Sequence, residues 1–229
     1  MFKRILVAYD GSEGAQASLK LGIELAKSAG AELSSISIEE HLPRYAVSVT
    51  EVDEAKEQID AHFRALTQQA RDWAALEGVD LETVVERGHE VEKILALARE
   101  GRFDLLMLGS HGHSRIFQRL VGSTALSLAR LAPCSIFIAR TTGPASDRLG
   151  SIKRILVGVD GSPLGRLAFR TALDFAILCG ATAVGVTVRE VSPLAGADGA
   201  ELAYARQLKA AAEEHARAAG VALDRKSVV

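Results

Sequence analysis

The sequence has few of the features that mark secreted, metal-binding and membrane proteins. Its only two cysteines, Cys134 and Cys179, form neither a C-x-x-C pair nor a metal-type cluster. No apolar run reaches the length that crosses a membrane, and residues 1–5 lead directly into a predicted strand rather than a secretory signal. We therefore expect a cytoplasmic protein with reduced thiols and no membrane partner.

A strong charge of either sign is also missing. The formal net charge is −2, which predicts no general attraction to nucleic acids or membrane surfaces. The sequence has no G-x4-G-K-[ST] P-loop and no G-x-G-x-x-G dinucleotide loop, and residues 112–116 fail the G-x-S-x-G nucleophile pattern at their last position. These absences argue against efficient catalysis, although slow ATP hydrolysis stays open.

The sequence does contain an internal repeat. Residues 3–12, KRILVAYDGS, recur as residues 153–162, KRILVGVDGS, and a duplication of this kind sets the number of units. We predict a complete unit over residues 1–140, a small and polar linker over 141–151, and a partial second unit over 152–229.

The first copy alternates apolar strand-like runs with amphipathic helical segments, which predicts an α/β fold with a parallel, doubly wound sheet. The predicted strands are Ile5–Tyr9, Leu33–Ile38, Leu81–Glu86, Phe103–Leu108 and Cys134–Ala139. The predicted helices are Ser12–Ala29, a helix capped by Thr50 that ends near Gly78, Glu90–Glu100, and Ser123–Leu131.

The second copy shows strands at Ile155–Val159 and Thr182–Val188 and helices at Leu164–Leu178 and Ala200–Ala219. Equivalents of strand four, the glycine-rich loop and strand five are absent from it. Two successive right-handed crossovers put both helices on one face of the sheet, so we expect the other apolar face to be uncovered. The unit is either truncated or degenerate, or another chain covers that face.

A glycine motif follows strand four. Gly109 and Gly112 are followed, after nine residues, by Gly122, Ser123 and Thr124, in the pattern G-x2-G-x9-G-[ST]. The first two glycines permit turns with positive φ and close approach of a ligand. The last three residues open a helix whose unpaired N–H groups bind anions, so the motif predicts a site for nucleotide phosphates.

Structural interpretations compete at other positions. Asp10-Gly11-Ser12 recurs as Asp160-Gly161-Ser162 in a copy without a phosphate loop, so helix capping alone explains the turn. Residues 111 and 113 are histidines that fit ordinary loop positions. Phe63 and Trp73 fit the core face of their helix better than a platform for a nucleotide base.

Taken together, these segments resemble the universal stress protein family. The resemblance is carried by the ILVAYDGS strand and turn, by the glycine motif, and by residues 132–140, APCSIFIAR. The glycine spacing is that of the family's ATP-binding branch, and the repeat resembles a tandem arrangement with an incomplete second unit. The resemblance implies a Rossmann-like sheet of strand order 3-2-1-4-5, with the ligand between strands one and four.

The resemblance also implies a set of nucleotide contacts for ATP bound with Mg. Asp10 would lie near the ribose or a bound divalent ion. Arg115 stands where many members have glycine and could add a bidentate phosphate contact. The remaining positions are Ala8 and Tyr9 beside the adenosine, Ile38 against the adenine, Leu108, Gly109, His111 and Gly112 over the ribose and phosphates, and Gly122, Ser123 and Thr124 at the phosphate oxygens.

Three functions follow from these observations. The first is a non-enzymatic ATP-binding module in stress response or signalling, and the second is an enzyme, either a slow ATP hydrolase or a nucleotide-transfer enzyme. The third is a nucleotide-independent module for dimerisation or partner binding, because strand five is predicted at an apolar sheet edge. In the family this strand pairs across a two-fold axis, which implies a homodimer through Ser135–Ala139.

Overall fold

The computed structural model describes residues 1–39, 49–110, 122–140, 148–160 and 162–186, and also 210, 213, 214, 216–218 and 220; side chains in helix 49–76 are described from Lys56 onward. Internal contacts divide the chain into two compact units. One comprises Phe2–Arg148, and the other comprises Leu149–Val229 together with Met1.

The first unit is built on a parallel sheet of five strands in the order β3-β2-β1-β4-β5, as expected. Strand β1 lies at the centre, with Ile5 beside Leu33 of β2 and Leu105 of β4. All strand pairs are parallel, but the order in which the chain adds strands reverses between β1 and β4. Such a switch in strand order opens a crevice at the carboxyl ends of the strands. The strands are β1 (Arg4–Ala8), β2 (Glu32–Glu39), β3 (Leu81–Arg87), β4 (Leu105–Gly109) and β5 (Ser135–Ala139).

Four helices connect these strands: α1 (Glu13–Ala29), α2 (Val49–Leu76), α3 (Glu90–Glu100) and α4 (Ser123–Leu131). Helix α1 begins after Ser12, whose Oγ accepts a hydrogen bond from the Ala15 N–H at 3.3 Å. It ends at Gly30, which has the left-handed φ of 63° that the sequence predicts for a helix stop. The bounds predicted for α3 and α4 are confirmed.

The predicted N-cap at Thr50 is wrong. Helix α2 already includes Val49, so Thr50 lies inside the helix. An N-cap residue must have a non-helical backbone, because its side chain turns back to the first free N–H groups. The choice of Thr50 as the cap therefore gave too late a start for this helix.

Both faces of the first sheet are covered. On one face, Leu6 and Leu106 are fully buried in a cluster with Ile94 of α3 and Leu128 of α4. On the other face α1 approaches closely at Gly22, where a Cβ atom would lie 3.0 Å from the Val7 side chain. Burial on both faces explains why these strands read as continuous apolar runs.

The second unit contains a two-stranded parallel sheet of β6 (Arg154–Gly158) and β7 (Thr182–Val186), joined by α5 (Pro163–Cys179). Val157 and Ala183 pack against α5 on one face. Leu156 points away from that cluster and is 70% exposed. This exposure is what an uncovered apolar face would give at Leu156. Of the helix predicted at Ala200–Ala219, residues 210, 213, 214 and 216–218 are described and helical.

Candidate functional site

A cavity of about 460 Å³ opens at the carboxyl ends of β1 and β4. This volume falls in the range of sites for small ligands, roughly 300 to 1,000 Å³. Three residues of the predicted site, His111, Gly112 and Arg115, lie outside the described residues. The others all line the cavity: Ala8, Tyr9, Asp10, Ile38, Leu108, Gly109, Gly122, Ser123 and Thr124.

Helix α2 supplies a wall of the cavity that sequence reasoning missed. Phe63 was predicted to face the core, but it lines the cavity together with His62 and Leu66. Heptad spacing identifies the apolar face of a helix but does not distinguish a packed core from a ligand cavity. The apolar side chains of β2, Ile36 and Ile38, line the same space.

The Asp10-Gly11-Ser12 turn joins β1 to α1 and has a structural role. The Ser12 N–H donates to Asp10 Oδ1 at 2.9 Å. Gly11 has a φ of +78°, and a Cβ atom on it would lie 2.7 Å from Leu66 Cδ1. A side chain there would be both strained and crowded, so Gly11 allows Leu66 of α2 to pack closely against this turn.

Gly109 differs from its sequence-based interpretation. It is not among the described glycines with positive φ, so the predicted left-handed turn at this residue is wrong. A Cβ atom on Gly109 would lie 2.6 Å from the carbonyl carbon of Gly14 and 2.8 Å from the Ala15 nitrogen. The end of β4 therefore requires glycine because the first turn of α1 passes directly against it.

The two ends of the loop between β4 and α4 are fixed by backbone hydrogen bonds. The Ser110 N–H donates to the Ala139 carbonyl at 2.7 Å, and the Gly122 N–H donates to the Ser110 carbonyl at 2.9 Å. These bonds hold Gly122, the N-cap of α4, at the mouth of the cavity between β1 and β4.

The first turn of α4 has the character of an anion site. Gly122 has no side chain that could cap the helix, and the first intrahelical bond runs from Leu126 N–H to the Gly122 carbonyl. The N–H groups of Ser123, Thr124 and Ala125 precede that bond. An N-terminus of this kind attracts anions through its N–H groups and its dipole.

Carboxylates dominate the charge in the cavity. Among the charged side chains of its described lining, two are acidic, Asp10 and Glu90, and none is a lysine or arginine. The Thr124 hydroxyl donates to Glu90 Oε2 at 2.9 Å. An anionic ligand at α4 would therefore have a carboxylate as its neighbour, an arrangement that sequence reasoning missed.

Tyr9 contributes a phenol that stays protonated near neutral pH. Its hydroxyl donates to Gln69 Oε1 at 2.6 Å. Burial and, to a lesser extent, the Asp10 charge raise the pKa of Tyr9 to about 12. A phenol with this pKa is a poor general base at neutral pH. The described residues also include no group of three or more His, Cys, Asp or Glu side chains that could hold a metal ion.

The model of the universal stress protein family matches residues 1–140 and 151–229. The chain belongs to the universal stress protein family. Each matched segment begins close to one copy of the KRILV repeat, which lies at residues 3–7 and 153–157.

Other universal stress proteins are similar in sequence and in fold. Universal stress protein YxiE of Bacillus subtilis is 30% identical over an alignment of 152 residues, and the alignment covers 61% of this chain and 100% of that protein. A universal stress protein of Staphylococcus aureus is 32% identical over an alignment of 144 residues, and the alignment covers 61% of this chain and 85% of that protein. A solved universal stress protein from Archaeoglobus fulgidus has 18% identity and a TM-score of 0.68, with 96% of this chain and 74% of that chain aligned, and it supports the fold alone.

In this universal stress protein, the described helices include none that is long and apolar enough to cross a membrane.

Proposed function

We propose that the first unit binds ATP, with Mg, and acts as a non-catalytic cytoplasmic module in stress response or signalling. The observation that carries this proposal is the convergence of β1, β2, β4 and the N-terminus of α4 on one cavity. This is the position at which open α/β sheets bind nucleotides. The glycine motif beside it resembles that of the family's ATP-binding branch.

The nucleotide would lie across the cavity between two chemically different regions. The adenine would contact Ile38, with Phe63 and Leu66 of α2 adding apolar surface. The phosphates would accept hydrogen bonds from Ser123 and Thr124 N–H at the start of α4. Ala8, Tyr9, Asp10, Leu108 and Gly109 would lie along the ribose, and His111, Gly112 and Arg115 complete the proposed contacts.

The chemistry of the described donors fits a Mg ion that arrives with the phosphates. Mg²⁺ prefers oxygen ligands, keeps several waters, and is usually held by one or two carboxylates together with substrate phosphates. Asp10 and Glu90 supply carboxylates in the cavity lining. When bound, the ion would neutralise part of the phosphate charge beside these two groups.

Slow or absent hydrolysis fits the same set of residues. The sequence has no P-loop lysine for the phosphates, and the raised pKa of Tyr9 makes its phenol a poor general base. We expect at most slow phosphate release from Mg-ATP. Rapid multiple turnovers that depend on Asp10 would instead favour an enzyme.

Calorimetric titration of nucleotide-stripped protein with Mg-ATP tests this function. We expect one nucleotide per chain, and we expect Gly122→Trp to weaken binding by about 100-fold or more, or about 2.7 kcal/mol, because the new side chain would occupy the phosphate end. Gly150→Trp is the matched control, since a Cβ atom on Gly150 would meet nothing within 4 Å. Unchanged ATP affinity in a folded Gly122→Trp variant would contradict the proposal.

Dimerisation through β5 is a second, compatible proposal. Strand β5 lies at the edge of the sheet, and its apolar residues Ile136, Phe137 and Ile138 are only half-buried. An apolar edge strand is a template for pairing with another chain, so we propose a homodimer through Ser135–Ala139. Sedimentation at micromolar concentration tests it, and a strictly monomeric protein would count against it.

A further inference from the structure

Glu90 connects the two helices whose N-termini meet at the cavity. It is the first residue of α3, and its carboxylate accepts the hydroxyl hydrogen bond of Thr124, the second residue of α4, at 2.9 Å. Glu90 also lines the cavity, next to the place where the proposed function puts the nucleotide phosphates.

The hydrogen bond to Glu90 limits what Thr124 can offer to a phosphate. A threonine hydroxyl has a single hydrogen to donate, and here the Glu90 carboxylate accepts it. While this bond persists, the Thr124 hydroxyl can only accept hydrogen bonds or bind a cation. The donors left to a phosphate at this helix start are the backbone N–H groups and the Ser123 hydroxyl.

The charge of Glu90 works against a bare polyphosphate. Helix N–H groups and the helix dipole attract an anion to α4, but the Glu90 carboxylate, which lines the same cavity, repels it. A divalent cation between phosphate and carboxylate would reverse the sign of the interaction. The affinity of the site then depends on whether the nucleotide carries a bound divalent cation.

We propose that Glu90 is a specificity-determining residue that makes the site select the cation-complexed form of ATP over the free polyanion. This inference rests on the proposed function. It predicts that Mg raises the affinity of the wild-type protein for ATP by about tenfold or more, equivalent to about 1.4 kcal/mol. It also predicts that most of this difference is lost when the Glu90 charge is removed.

The test compares dissociation constants for ATP with Mg and for ATP with a chelator, in the wild type, Glu90→Gln and Glu92→Gln. Glutamine keeps an acceptor oxygen for Thr124, so the hydrogen bond between α3 and α4 can persist. Glu92 is the matched control, because it lies in the same first turn of α3 but is exposed and does not line the cavity. Its substitution removes the same charge from the helix end.

We expect Glu90→Gln to reduce the ratio of the two dissociation constants about tenfold, mainly through tighter binding of free ATP, and Glu92→Gln to leave it unchanged. An unchanged ratio in Glu90→Gln, or an equal change in both variants, would overturn the inference while leaving nucleotide binding intact. A wild type that binds ATP equally well with and without Mg would also overturn it, independently of any variant. If the wild type and both variants all fail to bind any nucleotide, both this inference and the proposed function are overturned.

Discussion

The two units of this chain begin with almost the same ten residues, and they build the same local structure from them. In each unit a strand is followed by the sequence Asp-Gly-Ser, and the serine N–H donates to the aspartate carboxylate at 2.9 Å. The helix that follows ends in each case at a left-handed glycine, with φ of 63° in the first unit and 62° in the second. Local sequence therefore suffices for the strand, the turn and both helix ends.

The units differ where long-range packing is required. Leu6 and Leu156 occupy equivalent positions in the repeat, yet Leu6 is 0% exposed and Leu156 is 70% exposed. Helices α3 and α4 bury Leu6, and among the described residues of the second unit no equivalent of these two helices packs on Leu156. The part of the first unit that contains α3 and α4 also supplies Glu90 and the glycine motif. The elements that complete the core of the first unit therefore also form its cavity.

The leucine pair gives the largest expected contrast. Leu6→Ala should lower the free energy of unfolding of the first unit by about 2 to 5 kcal/mol, because it leaves a cavity in a packed core. Leu156→Ala should change the stability of the second unit by no more than about 0.5 kcal/mol, as is usual at exposed sites. Urea unfolding followed by fluorescence of Trp73, the single tryptophan, reports on the first unit.

Hydrogen exchange in peptides from β6 and α5 reports on the second unit in the same pair of variants. A loss of protection there in Leu156→Ala, as large as the loss that Leu6→Ala causes in the first unit, would mean that the face bearing Leu156 is covered in solution. The comparison between the two units would then fail at its main point.

A glycine pair gives a smaller contrast. Gly109→Ala should lower the free energy of unfolding of the first unit by about 1 to 3 kcal/mol, as overpacking usually does. The reason is that the new Cβ atom would lie 2.6 Å from the backbone of Gly14. Gly158→Ala places the residue of the first copy, Ala8, into the second. Nothing lies within 4 Å of a Cβ atom on Gly158, so this change should stabilise β6 by about 0.5 kcal/mol.

Urea unfolding checks the first of these glycine variants and hydrogen exchange checks the second. If Gly109→Ala kept full stability but lost ATP binding, Gly109 would serve the ligand rather than the packing of α1. The part of the sequence-based interpretation that concerns close approach of a ligand would then be supported.

The sequence predicted best what depends on neighbouring residues. The bounds of α3 and α4 follow from local stop signals such as Gly101 and Pro133, and the Ser12 cap follows from its turn. The strand order came from the family resemblance, because alternation of strands and helices predicts a parallel sheet but not its order.

Features that join distant segments could not be predicted in this way. Phe63 lines the cavity only because α2 approaches the Gly11 turn, and periodicity does not show what an apolar helix face meets. Glu90 and Thr124 are separated by 34 residues, and no motif links them. A search of the sequence for carboxylates in the first turn of each helix that follows a strand of the sheet would have identified Glu90 as a candidate.

The smallest expected effect concerns the turn that both units share. Hydrogen bonds from the Ser162 hydroxyl and then from its backbone N–H lower the pKa of Asp160 below its ordinary value of 3.8. A lowered folded-state pKa means that the turn is stabilised above the unfolded pKa, and that this contribution is lost as the pH falls through the lower folded value. NMR titration of the Asp160 carboxyl carbon should therefore show a midpoint below 3.8, and Ser162→Ala should move it upward. A wild-type midpoint at the ordinary value would mean that the hydrogen bonds between Ser162 and Asp160 do not form in the second unit. Local sequence alone would then not be enough to build the structure that Asp10 and Ser12 form in the first unit.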